Sequence, residues 1–363
     1  MLKYKSRKKA LNTKGRKILN ITDLVINVGI LFIMMIPGLI LKKFKMVGAD
    51  FGKGISNLVL YIAQPSLIVY AYLSCESEFS EIWLPCVLTF AISMLIHFMF
   101  SAVAFAFFRR EPESKRKMLR LVTIFSNAAF MGIPLIQSIL SPEAAIYASI
   151  YNITFNLFLW TLGVHLCTRR SGEDMDGDND SDIVDELLSA KHHMKKEVSI
   201  KKVLLHPVTI ASAVGVILLI FGINVTVLES NSLGIISDSL EMLKSLVAPL
   251  SMVVIGLRLA ELKLDGVLTD VGMYIFLALR HLALPLASAA VMWLLTLIGV
   301  PIDEVTRTVI IILAATPSAT SATMFAEKYD CDATYTSRLV LISTILSIGT
   351  MPFVLYVSNL MFK

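Results

Sequence analysis

The chain has 363 residues, of which 56% are hydrophobic and 17% are charged, and its mean hydropathy is +0.72. A soluble domain carries roughly a quarter charged residues, so this composition excludes an ordinary soluble enzyme and indicates a membrane protein. The four cysteines form no CxxC pair and no Cys/His cluster, which argues against a structural zinc site and a disulfide framework.

Apolar windows long enough to cross a bilayer follow one another along the sequence. They predict an all-α polytopic membrane protein with about ten transmembrane helices in the cell membrane. A basic tail (1–20) precedes the first window, and a polar linker (169–203) divides five windows in 21–168 from five in 204–363. The predicted spans are 22–41, 55–73, 83–108, 120–140, 144–167, 204–222, 240–260, 268–298, 304–326 and 336–361.

Prolines occur at matching places in the two halves. Pro65 and Pro249 are 249 − 65 = 184 positions apart, and Pro134 and Pro317 are 317 − 134 = 183 apart. An odd number of spans in each half reverses the direction in which the second half enters the membrane. The sequence therefore predicts two inverted five-helix repeats, with helices broken at Pro134 and Pro317, a common plan of secondary transporters.

Lysine and arginine predict the orientation. The loops after spans one, three and five are basic, whereas those after spans two and four hold no lysine or arginine, which places the basic loops in the cytoplasm. The N-terminus would then lie outside, although tail 1–20 is itself basic. Either the later loops overrule the tail, or the span count is wrong and the N-terminus lies inside.

The fourth and ninth spans contain the candidate substrate site. Small and breaking residues free backbone groups that must find partners in protein or water, and a half-helix that starts within the membrane points N–H groups at an anion. The alternative is that these small residues only allow close helix packing. The candidate residues are Asn127, Gly132, Ile133 and Pro134 in the fourth span, and Pro317, Ser318, Ala319, Thr320 and Ser321 in the ninth.

Other polar side chains lie within apolar spans. Asn152 and Asn156 share one face of the fifth span, and Gln64 precedes Pro65 in the second; each amide binds either a ligand or a neighbouring helix. Arg280 lies in the eighth span. It is a possible charge partner of a substrate carboxylate, or it pairs with a buried carbonyl that holds the scaffold.

Four stretches resemble the auxin efflux carrier family, which includes bacterial malonate or malate permease-like proteins and the plant PIN carriers. Asn127–Leu135 is similar to the family's asparagine-to-MGIPL stretch. The stretch Gly54–Asn57 before Pro65, Arg280 before Pro285, and Phe325–Tyr329 agree by position. Unlike the plant carriers, this chain has Ala322 in place of a second proline in the ninth span, and its linker is short, so auxin as substrate is in doubt.

The resemblance implies a scaffold of helices 1, 2, 6 and 7 and a transport domain of helices 3–5 and 8–10. Broken helices 4 and 9 would cross at the substrate, an elevator-type movement would carry it, and the protein would form a homodimer. Asn127 and the half-helix after Pro134 would face the substrate's carboxylate.

These observations predict a secondary transporter of a small organic anion, a dicarboxylate or an amphipathic monocarboxylate. The alternative is a ligand-sensing membrane protein that uses the same pocket without transport. Enzyme signatures such as HExxH, GxSxG and Walker A are absent from the sequence, so an enzyme is not expected. The expected partners are the anion and membrane lipids, not nucleic acid. No cofactor is expected, and coupling to Na⁺ or H⁺ stays open.

Overall fold

The computed structural model describes residues 21–48, 50–168, 203–261 and 269–362, and the predicted tail and nearly all of the linker lie outside them. We number ten helices in this part of the chain. They are α1 (Ile21–Ile33 and Ile36–Lys43), α2 (Phe51–Leu73), α3 (Phe79–Phe107), α4a (Glu113–Ile124) and α4b (Ala128–Ile139), α5 (Pro142–Thr168), α6 (Pro207–Ile220), α7 (Gly234–Leu259), α8 (Val271–Leu297), α9a (Glu304–Ala315) and α9b (Thr320–Lys328), and α10 (Ala333–Met361). A short helix, Val225–Ser230, connects α6 to α7.

The prediction of an all-α polytopic membrane protein is confirmed. Seven helices among the described residues, α1, α2, α3, α5, α7, α8 and α10, are long and apolar enough to cross a membrane. The fourth, sixth and ninth predicted spans are shorter: α6 has 14 residues, and the other two are each divided into two helices. The inverted relation between the two halves stays a prediction.

The prediction that Pro134 breaks the fourth span is wrong. The helix ends at Ile124 and restarts at Ala128, so the break precedes Pro134, which lies inside α4b. Pro134 is the second residue of the α-helical part Ile133–Ile139, which follows a π-helical turn at the start of α4b. The ninth span does break at Pro317, between Ala315 and Thr320.

Three prolines follow π-helical turns rather than breaks. The turns Val59–Ala63, Ala128–Gly132 and Leu279–Ala283 each end two residues before a proline, at positions 65, 134 and 285. A π turn widens the backbone, which accommodates a residue that cannot donate to the helical ladder. Pro249 likewise leaves α7 helical around it, since the irregular residue is Leu246, three positions earlier.

One carboxylate joins the starts of three helices. Asp270 precedes α8 and accepts hydrogen bonds from the Gly272 N–H (3.1 Å), from Lys115 Nζ at the start of α4a (3.2 Å) and from the Tyr335 hydroxyl at the start of α10 (2.6 Å). Burial would raise the pKa of Asp270, but the hydrogen bonds from Tyr335 and Lys115 outweigh it and hold the pKa below its usual value. These helix starts therefore lie on one face of the molecule.

Replacing Asp270 by alanine is expected to lower the free energy of unfolding by about 1–2 kcal/mol, since a helix cap and a buried acceptor are lost. The half-exposed Lys115 contributes little of this. Because the native pKa is depressed, the stabilisation is present above the ordinary carboxyl pKa of about 4 and is lost as the pH falls below it. Thermal unfolding at several pH values, with the exposed Asp238→Ala as control, measures the effect. Equal midpoints for the two variants would contradict it.

Candidate functional site

The two helix breaks meet inside the molecule. Ser126 and Ser318 form an antiparallel bridge. On either side of it, the Asn127 N–H donates to the Pro317 carbonyl (2.7 Å), and the Ala319 N–H donates to the Phe125 carbonyl (2.8 Å). The two breaks thus satisfy each other's backbone groups, which is required where no water is available. We call residues 125–127 and 316–319 the paired breaks.

Asn127 lies at the start of α4b and is 2% exposed. Its carbonyl accepts the N–H groups of Met131 and Gly132, each at 3.1 Å, and so begins the π turn. Its side-chain Nδ2 has no hydrogen-bond partner among the described residues. A buried amide nitrogen of this kind is costly, and it offers a hydrogen-bond donor at the N-terminal end of α4b.

Gln64 connects α2 to the same turn. Its Nε2 donates to the Ala129 carbonyl at 2.7 Å, while its Oε1 has no partner within the part of the chain that the structure describes. The side chain is fully buried. The Nε2 atom therefore bonds to a neighbouring helix, which is one of the two alternatives for this amide, and a ligand at Oε1 stays a prediction. Pro65 follows it in the α-helical turn after the π turn.

The amides of α5 differ from each other. Asn156 Nδ2 donates to the Asn152 carbonyl at 2.8 Å, so it bonds to its own helix. Asn152 is 1% exposed, and its Oδ1 has no partner among the described side chains and backbone. Helix α5 contacts the π turn of α4b. Of the two amides, Asn152 has the free acceptor.

Close packing explains two other predicted residues. A Cβ on Gly132 would lie 2.4 Å from Leu313 Cδ2 and 3.2 Å from Thr316 Cγ2, so α4b approaches α9a where a side chain would not fit. Ile133, like Pro134, is buried in α4b. These residues therefore shape the contact between the broken helices. This is the close helix packing that the sequence offered as the alternative to a substrate site.

Ser318 is held from two sides. Its backbone N–H donates to Ser343 Oγ of α10 (3.0 Å), and its hydroxyl donates to the Val122 carbonyl of α4a in a short hydrogen bond. His281 Nε2 contacts the same Ser343 Oγ at 2.8 Å, and its Nδ1 contacts Thr350 Oγ1 at 2.9 Å. The hydroxyl of Ser318 is thus already engaged, and α10 fixes its backbone.

Helix α9b begins just beyond the paired breaks. Thr320 is buried, and its carbonyl accepts a long hydrogen bond from Arg258 Nη1 of α7 (3.5 Å). Ser321 is partly exposed. Ala322, at the position of the plant carriers' second proline, lies inside the helix, so Pro317 and the extended residues around it are sufficient for the break.

Arg280 reaches the breaks from behind. It is fully buried in the π turn of α8 and donates only to backbone carbonyls, those of Thr123, Ala314 and Thr316, at 2.8–3.2 Å. The sequence left two roles open for Arg280, a charge partner of the substrate and a partner of buried carbonyls. These contacts are those of the second role.

A cavity of about 580 Å³ opens beside α9b. One side of the cavity is formed by the ends of α1 and α7 and the start of α2. The other side is formed by α9b and the start of α10. Four cationic and three acidic side chains line it; they are Lys42, Lys53, Arg258 and Arg338, and Asp50, Glu261 and Glu327. The loop after α1 was assigned to the cytoplasm from its lysines, so the cavity is on the predicted cytoplasmic face.

Sequence reasoning missed several polar residues around the breaks. Ser126 and Tyr151 are buried with hydroxyls that lie next to each other, and Ser343 accepts the Ser318 N–H. A signal for Ser343 was present, since Thr336, Ser343 and Thr350 recur every seven residues along α10. Such spacing places them on one helix face.

The family model described as Membrane transport protein matches residues 23–355, which include both breaks. The chain belongs to this family. The resemblance to the auxin efflux carriers is confirmed by this match. No curated protein matches the chain. The transporter is a multi-pass integral protein of the cell membrane.

Proposed function

We propose that the transporter moves a small organic anion across the membrane and binds its carboxylate at the N-terminal ends of α4b and α9b. The observation that carries the proposal is the buried Asn127 Nδ2, which has no partner among the described residues and lies beside a helix start. A carboxylate would accept from this amide and from first-turn N–H groups, while the helix dipole favours its charge.

The neighbouring amides refine the kind of substrate. Gln64 Oε1 and Asn152 Oδ1 are acceptors without partners among the described residues, so they fit a hydroxyl or a protonated group of the ligand. A carboxylate that carries a second polar group fits this set, and either a dicarboxylate or an amphipathic monocarboxylate remains consistent with it.

The helix contacts support a movement of the elevator type. Helices α1, α2, α6 and α7 contact one another, through the pairs α1 with α7, α2 with α6 and α2 with α7. Helix α5 contacts α3 and α9a, α8 contacts α9a and α10, and α9b contacts α10, which makes a second group. The two groups meet where α5 contacts α2 and α6 and where α10 contacts α1. The paired breaks belong to the second group, and the charged cavity lies between the groups on the predicted cytoplasmic side. A sliding of one group against the other would expose the breaks to alternate sides.

Flux in proteoliposomes tests the proposal. A panel of mono- and dicarboxylates, each beside its neutral amide, should show uptake of an acid and not of the amide. Asn127→Ala should weaken binding about 10- to 100-fold, because a hydrogen bond to a charged group contributes about 1.5–3 kcal/mol. Asn127→Asp should abolish binding, since it places a carboxylate against the substrate's own.

The matched control is Asn359→Asp, the same change in the last turn of α10. It should keep wild-type flux. Flux unaffected by Asn127→Asp would contradict the proposed site. Binding of an acid without flux in any variant would indicate the ligand-sensing alternative instead.

A further inference from the structure

The hydrogen bonds that Arg280 donates within the described residues all go to backbone carbonyls. Its Nη2 donates to the carbonyls of Ala314 (2.9 Å) and Thr316 (2.8 Å), its Nε also donates to Thr316 (3.2 Å), and its Nη1 donates to Thr123 (3.2 Å). The Phe100 ring lies 5.3 Å from the guanidinium carbon. Within the described part of the chain, no carboxylate forms an ion pair with Arg280, so its charge is balanced only by dipoles and a ring.

These carbonyls are the C-terminal ends of the two broken helices. Helix α9a ends at Ala315 and α4a ends at Ile124. The last carbonyls of a helix lack intrahelical partners and carry the negative end of its dipole. Two such ends meet behind the paired breaks, and the Thr123 carbonyl is 157 residues away from Arg280 in the chain.

Carbonyls of this kind are a cation site. In transporters with discontinuous helices, the C-terminal ends and unwound carbonyls coordinate the coupling ion, while the N-terminal ends receive the anionic substrate. A guanidinium has a fixed positive charge and five donors, so it satisfies several carbonyls at once without any ion.

We propose that Arg280 is a built-in cation that takes the place of a coupling ion at the paired breaks. The transporter then needs no inorganic cation to assemble its anion site. This inference rests on the proposed function for its role in anion transport, although the cation site itself stands on the geometry. Arg280 is a positioning residue, since it lies at the C-terminal ends while the substrate site is at the N-terminal ends.

The surroundings of Arg280 keep it in this position. The π turn Leu279–Ala283 directs two successive side chains inward: Arg280 to the carbonyls and His281 to Ser343 and Thr350 of α10. Ser343 in turn accepts the Ser318 N–H. Hydrogen bonds to α10 therefore fix both His281, next to Arg280, and Ser318 in the paired breaks. The guanidinium of Arg280 is thus a preorganised positive charge close to the proposed anion site.

Chemical rescue tests the proposal in the purified full-length protein. Arg280→Ala should lower the thermal unfolding midpoint, and guanidinium ion at millimolar concentration should restore a large part of the loss. Urea at the same concentration is the control, because it has a similar shape and no charge. Arg307→Ala removes a half-buried guanidinium that lies over the Phe362 ring, and it should show no such recovery.

A second arm uses the wild type. Its unfolding midpoint and its anion flux should be the same in sodium chloride and in N-methylglucamine chloride. Arg280→Lys keeps a charge but loses the fork of donors, so its midpoint should fall between those of the wild type and Arg280→Ala. If Arg280→Ala does not fold, the wild type and Arg280→Lys decide the question.

Recovery of Arg280→Ala by urea as well as by guanidinium, or recovery by neither, would overturn the proposal. So would a wild type that sodium stabilises or drives. If no carboxylate is transported at all, the proposed function fails, whereas the thermal measurements still decide the role of Arg280.

Discussion

Replacing Gly256 by alanine is expected to destabilise the transporter more than the same change at a helix glycine with open space around it. A Cβ at this position would lie 2.0 Å from the Met35 carbonyl oxygen and 3.2 Å from Gly38 Cα. The obstacle is backbone, which cannot rotate away as a side chain can. Helix α7 would have to move off α1, and overpacking of this kind costs about 1–3 kcal/mol or more.

The crossing of α1 and α7 is reciprocal. A Cβ on Gly38 would lie 2.2 Å from the Val253 carbonyl oxygen and 2.8 Å from the Leu257 nitrogen. Gly38→Ala should therefore destabilise to a similar degree. The double variant should lose less than the sum of the two, because the first substitution already separates the helices and the second then meets less resistance.

Two glycines provide matched controls. Gly29 in α1 and Gly349 in α10 have nothing within 4 Å of the added Cβ. Alanine there should be neutral or stabilise by up to about 1 kcal/mol, because alanine has the higher helix propensity. The measurement is the thermal midpoint of the detergent-purified protein. Equal midpoints for Gly256→Ala and Gly29→Ala would refute the close crossing.

Ala319→Pro is expected to open the paired breaks. The Ala319 φ is −61°, which proline adopts without strain, and Ser318 before it is extended, as the residue before a proline prefers. The substitution therefore removes one hydrogen bond, the one that the Ala319 N–H donates to the Phe125 carbonyl at 2.8 Å, and it adds a ring that must be accommodated. A buried carbonyl left without a donor costs about 1–3 kcal/mol.

Ala319→Ser is the control, since it keeps the N–H and a small side chain. The proline variant should have a lower thermal midpoint and should lose the stabilisation that a bound carboxylate gives, because Asn127 lies in the opposite segment of the pair. The serine variant should keep both. A proline variant that binds the carboxylate as tightly as the wild type would show that the pairing does not form the site.

Much of the fold follows from local properties of the sequence. The apolar windows determine helices because the bilayer leaves no other way to satisfy the backbone, and their number and order agree with the helices among the described residues. Asn127 could also be found, since an amide in an apolar span next to small residues and a proline is rare enough to be informative. The family motif lies on the same residues.

The sequence by itself was misleading about the fourth helix. Proline is the expected breaker there, yet a π turn before Pro134 accommodates it, and the chain breaks at residues 125–127 instead. What decides this is pairing with the ninth helix: Asn127 and Phe125 leave the helix because Pro317 and Ala319 supply their hydrogen-bond partners. Those partners are about 190 positions away in the sequence, beyond the reach of any local pattern.

Arg280 shows the same division between sequence and tertiary structure. An arginine within an apolar span predicted a functional or structural charge, and the sequence left both roles open. Only the fold shows that its neighbours are carbonyls from the ends of two other helices. Helix ends become binding groups only when another part of the chain is brought to them. Composition and hydropathy therefore determined the membrane helices, and the packing of the broken ends determined the geometry of the candidate site.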